Sequence, residues 1–73
     1  MSIMTVVKIG RSLKEQRIRR FMTQDQFAKR IGISSRQLVR IERNDVDPRF
    51  STITKIAERL GMEPDDLVDR DQS

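Results

Sequence analysis

Residues 22–43 read MTQDQFAKRIGISSRQLVRIER, and the order of residue types within them decides the fold. Thr23 has Gln26 three positions on, the pairing of a helix cap with a side chain that reaches back to the cap's own amide. Phe27, Ala28 and Ile31 then give that helix its apolar side, and Gly32 stops it. Ile33 is an apolar plug in the turn. Ser34 is a second cap with Gln37 three residues later, and Leu38 and Ile41 are the inward positions of another helix ending near Arg43. Asn44 tolerates the left-handed conformation that closes it. Two amphipathic helices joined by a sharp turn are predicted.

Working outward toward the amino terminus, Ile9, Leu13 and Phe21 fall on one helical face, with Arg17 in the middle of that stripe. A charge on an apolar stripe must find a partner or leave the core. Toward the carboxyl terminus, residues 45–49 form a loop, because Pro48 disfavours a helical Asp47. Phe50, Ile53, Ile56, Ala57 and Leu60 trace a fourth helix that Gly61 stops. Pro64 suits the first turn of a short fifth helix through Val68, where Asp65 and Asp66 complement its positive end. Before Lys8, the residues Ile3, Val6 and Val7 do not suit a helix and are too apolar to expose without reason, which suggests an arm or a pairing strand. The expected organisation is an arm or pairing segment over 1–8, a helical domain over 9–68 and a frayed acidic tail over 69–73. No repeat, low-complexity tract or linker is visible.

Composition narrows the function. A chain of 73 residues supplies one small core. Without cysteine or histidine it lacks disulfides, thiolate chemistry, the usual zinc ligand sets and the commonest general base, so neither metal nor cofactor is expected. No apolar run approaches the roughly 20 residues of a membrane span, and an export signal is missing, so a cytoplasmic protein without membrane contact is expected. The net charge of +4 hides an asymmetry: residues 1–43 hold eleven Lys or Arg against three acids, whereas residues 44–73 hold four against eight. Such a split fits a side that faces a polyanion; it also fits a merely solvated charged surface, and charge alone leaves both open.

The segments IGRSLKEQR (9–17), MTQDQFAKRIGISSRQLVRIER (22–43) and PRFSTITKIAERLGMEPDDL (48–67), in this order and spacing, resemble the Cro and C1-type phage repressors of the XRE family of helix-turn-helix regulators. The resemblance covers residues 9–68. It implies an all-α, compact five-helix lambda-repressor-like domain whose second and third helices form the helix-turn-helix. It also implies double-stranded DNA as the partner and a sequence-specific, non-enzymatic transcriptional regulator. In this expectation the protein acts as a repressor, a homodimer on a palindromic operator.

Carried over by position, the family's base-facing sites fall on Ser35, Arg36 and Arg40, with Val39 near them. Arginine can fork onto guanine, serine can serve any base edge, and an outward valine can meet a thymine methyl. Unspecific phosphate binding is the other reading of the two arginines, and packing against the second helix is the other reading of Val39. Gln24 matches the family's phosphate-contacting position, or is simply an exposed residue at a helix start; Ser34 is first a cap and second a phosphate donor. The family often pairs the position of Arg17 with the glutamate that closes the third helix, here Glu42. The loop 44–47 departs from the pattern, which usually starts on glycine and is often basic; Asp45 and Asp47 would repel phosphates, leaving Arg43 and Arg49 as the anchors beside it. Arg49 stands where the family commonly has a cap, so the caps available to the fourth helix are Asp47, with Pro48 after it, and Ser51. Pairing could use the fifth helix with Leu67 and Val68, or residues 3–7.

Two other classes compete. One is a protein-interaction module of the same fold, such as an antitoxin with a protein partner. The other is an enzyme built on Asp65, Asp66 and Asp69, but acids at a short helix's start serve its dipole, and no base or nucleophile accompanies them.

Overall fold

The computed structural model describes residues 8–69. The expectations for residues 3–7 and for 70–73 lie outside it. Five helices follow one another: α1 (Gly10–Arg19), α2 (Gln24–Ile31), α3 (Ser35–Glu42), α4 (Phe50–Leu60) and α5 (Pro64–Leu67). Among the described residues there is no strand.

Local chemistry sets most of these boundaries. Thr23 Oγ1 accepts from the Gln26 amide at 3.1 Å while Gln26 Oε1 accepts from the Thr23 amide at 2.9 Å, so two orphan donors of α2 are satisfied together. Gly32, at φ +81°, ends α2 in the left-handed region that a Cβ disfavours. Ser34 Oγ accepts from the Gln37 amide at 3.0 Å and starts α3 only two residues later. Asn44, at φ +60°, closes α3, as its short polar side chain allows. For α4, neither Asp47 nor Ser51 caps. The N-cap residue is Arg49, with no side-chain bond, and its carbonyl accepts from the amides of Thr52 and Ile53.

The core joins Ile9 and Leu13 of the first segment to Phe27, Ala28 and Ile31 of α2, Leu38 and Ile41 of α3, Ile53, Ile56, Ala57 and Leu60 of α4, and Leu67 of α5. Removing this apolar surface from water is the main force holding helices too short to persist alone. Leu67 is fully buried within the chain's own core and so is not part of a pairing surface; Val68 beside it is half-buried. The backbones of α1 and α3 approach so closely that a Cβ on Gly10 would lie 2.5 Å from the Ile41 carbonyl oxygen and 2.6 Å from Asn44 Oδ1. Glycine is required there by contact.

Two further expectations need correction. Phe21 does not continue the face of Ile9 and Leu13: α1 ends at Arg19, Phe21 adopts φ +56°, and its side chain is 95% exposed. The Thr23 cap leaves only residues 20–23 for the reversal, in which the Met22 amide donates back to the Arg17 carbonyl at 3.2 Å and Met22 packs on the core instead. Phe50, at the start of α4, is likewise 71% exposed. The second correction is Asp69, expected in a frayed tail. Its Oδ1 accepts from the Ser12 amide at 2.7 Å, its Oδ2 accepts from the Arg11 amide at 3.0 Å, and its own amide donates to the Lys8 carbonyl at 2.7 Å. The residue at the N-cap of α1, Ile9, has no side chain able to cap; Asp69 supplies the cap from the other end of the chain.

Asp69→Ala is therefore expected to destabilise the protein by about 1 kcal/mol, the usual worth of an N-cap, although Asp69 is remote in sequence from the helix it serves. Chemical denaturation followed by circular dichroism reads this directly, and an unchanged midpoint would remove Asp69 from the cap.

Candidate nucleic-acid interface

The two inward residues of α3, Leu38 and Ile41, are anchored in the core, and this fixes what the helix offers outward. Arg36, Gln37 and Arg40 are exposed, while Ser35 and Val39 are half-buried at the sides. Burial of Val39 agrees with packing as well as with a shallow contact. Ser34 is exposed at the helix start, with its hydroxyl oxygen accepting from the Gln37 amide and its proton free to donate.

Behind this face sits one carboxylate with three donors. Arg17 Nε donates to Glu42 Oε2 at 2.8 Å and Arg17 Nη2 donates to Oε1 at 3.1 Å, a forked pair; Gln24 Nε2 donates to the same Oε1 at 3.1 Å. Arg17 Nη1 completes the set by donating to the Met22 carbonyl at 3.2 Å. The side chains of Arg17 and Glu42 are only 15% and 4% exposed, so each needs the other's charge. The structure thus brings Arg17, Gln24 and Glu42 together, joining α1, α2 and α3. The sequence suggests only an outward role for Gln24; its amide is turned to Glu42 with one N–H, and the second N–H remains for another acceptor.

A cleft of about 540 Å³ opens between α3 and the start of α4, lined by Arg36, Gln37, Arg40, Asp47, Arg49 and Thr52 among others. Arg36, Arg40 and Arg49 are thereby gathered on one surface. Among the described residues, Arg49 makes no ion pair, whereas Arg43 Nε lies 3.5 Å from Asp45 Oδ2. Sequence reasoning passes over Gln37, seen only as the partner of a cap. It is exposed and stands three residues, about one helical turn, before Arg40, with which it lines the cleft. Among the described residues no group of three acids is gathered to hold a metal ion, and no helix is long and apolar enough to cross a membrane.

The pattern of a family described as helix-turn-helix (HTH_3) matches residues 13–67. No curated protein matches the chain. Among solved structures, the chain is similar to the restriction-modification controller protein C.AhdI from Aeromonas hydrophila, with 29% identity and a TM-score of 0.72 over 85% of this chain and 94% of that one. It is also similar to an HTH_3 family transcriptional regulator from Vibrio cholerae, with 32% identity and a TM-score of 0.73 over 81% of this chain but only 33% of that one. The P22 c2 repressor, solved in complex with a synthetic operator, shares the fold at 22% identity, with a TM-score of 0.73 over 88% of this chain and 97% of that one.

Removing either member of this part-buried pair, by Arg17→Ala or Glu42→Ala, is expected to cost about 3 kcal/mol, because the other charge is left without compensation. The double replacement should cost less than the two singles added. Equilibrium unfolding of all four proteins checks this, and strict additivity would contradict the coupling.

Proposed function

This chain belongs to the helix-turn-helix (HTH_3) family, and from that premise we propose that it represses transcription by reading a palindromic operator as a homodimer. That it is a DNA-binding transcription regulator and not an enzyme follows from the family itself. The observation that carries the finer reading is the outer face of α3. Arg36 and Arg40 project from a helix whose other side is held in the core and whose end is tied through Glu42 to α1 and α2. A helix anchored in this way with exposed guanidinium groups suits a major groove about 12 Å wide, where each group can donate two hydrogen bonds to guanine O6 and N7.

In this reading Ser35, Arg36 and Arg40 face base edges, with Val39 against a thymine methyl. Gln24, Ser34, Arg43 and Arg49 meet phosphates, which fix register without reporting sequence. A single domain of this size buries little of the duplex, so two-fold pairing on half-sites about one helical turn apart supplies the affinity. With Leu67 taken up by the core, residues 3–7 and Val68 are the candidates for that pairing. P22 c2, whose structure was solved with a synthetic operator, supports the reading through the shared fold. The exposed Ile18 and Phe21 favour a second reading, in which the same domain also meets a protein partner; a stoichiometric companion on purification would support it.

Reading and holding separate experimentally. Arg40→Ala should lose about 1 to 3 kcal/mol on a duplex selected from a random pool and relax the choice of one base pair, with a smaller loss on random duplex. Arg49→Ala should weaken both duplexes alike and lower the slope of log affinity against log salt by about 0.9 for each phosphate that is no longer neutralised. Salt titrations of each variant, with base-by-base substitution of the selected duplex, distinguish the two. A uniform loss in Arg40→Ala with unchanged base preference would make α3 a phosphate clamp.

A further inference from the structure

Arg43 stands at the end of α3, beside the surface assigned to DNA, and the backbone aims an acid at it. Asn44, at φ +60°, turns the chain so that the Asp45 amide donates to the Arg40 carbonyl at 2.9 Å. The closing turn of α3, held by this bond, therefore carries Asp45, whose Oδ2 lies 3.5 Å from Arg43 Nε. The two side chains are 71% and 49% exposed, so the pair contributes little to the fold. It also opposes phosphate binding, which depends on cations free to displace the duplex's counterions.

We propose that Asp45 is a built-in competitor for Arg43, occupying the guanidinium that would otherwise close on a DNA phosphate and so holding down the affinity for every duplex. The inference rests on the DNA-binding reading given above. When a phosphate approaches, two anions share one guanidinium, and the carboxylate charge is left beside the phosphate. Phosphate contacts carry no base information, so the limit falls on selected and random duplex alike. Binding then depends more heavily on base contacts from α3 and on the pairing of two chains. Asp47 is a useful comparison, because it lines the neighbouring cleft and makes no ion pair with Arg43.

The test compares the wild type, Asp45→Asn, Arg43→Ala and the double variant, with Asp47→Asn as a control beside these four, on a random-sequence duplex and on a duplex selected by the wild type from a random pool, across a salt series. Asp45→Asn should tighten both about two- to fivefold per bound chain, the range of an exposed ion pair. It should also steepen the slope of log affinity against log salt by up to about 0.9 per chain. In the Arg43→Ala background the gain should vanish. A gain that survives undiminished without Arg43, or one matched by Asp47→Asn, would mean general repulsion and overturn the proposal. Wild-type binding with no response to Asp45→Asn would overturn it while leaving the DNA-binding reading intact. Failure of all four proteins to bind either duplex at low salt would overturn both.

Discussion

The carboxylate of Glu42 is the constraint on which the arrangement depends. Only 4% exposed, it would be costly to hold there without donors, and it finds them on two other helices. Arg17 gives it a fork of two hydrogen bonds, and a third N–H of the same guanidinium holds the Met22 carbonyl just before α2 begins. Gln24 adds a donor from the first residue of α2. An apolar contact would have left these helices free to slide; directional bonds to one buried group set how α1, α2 and α3 meet. The face that α3 turns outward is the consequence.

The remaining contacts hold α1 where this group needs it. At its start, Gly10 lets the helix backbone approach the Ile41 carbonyl and the Asn44 side chain, which no larger residue could do without displacement. The same turn has its free amides satisfied by Asp69, so the segment after α5 is fastened to the helix that carries Arg17. The first and last described segments thereby support α3 indirectly, through α1. Exposed apolar side chains follow the same logic in reverse. The three-residue reversal between α1 and the Thr23 cap packs Met22 against the core and leaves Phe21 outside.

What was legible in the sequence is what short-range chemistry dictates. The caps at Thr23 and Ser34, the stops at Gly32, Asn44 and Gly61, and the apolar repeats of α2, α3 and α4 all depend on neighbours within four residues. Arg17 was legible as anomalous because it broke an apolar stripe, and family resemblance named Glu42 as its partner. Asp69 was not legible, because its partners are 57 and 58 residues away and an acid near a chain end looks like solvated tail. Phe21 misled because spacing alone cannot tell where a helix stops, and Leu67 because an apolar residue near the end of the domain fits a core as well as an interface. For the interface, the outward residues of α3 could be read from periodicity, whereas the proximity of Arg49 to Arg36 and Arg40 required the loop to be placed.

If α3, held by Glu42, is the surface that meets DNA, the backbone amide shifts of the isotope-labelled protein test it most directly, followed as a duplex selected from a random pool is added. The largest changes are expected at Gln24, along residues 34–40 and at Arg49, with the Arg17 side-chain Nε resonance keeping its position because its acceptor is unchanged. Changes centred on Ile18, Phe21 or α5, with α3 unaffected, would contradict it.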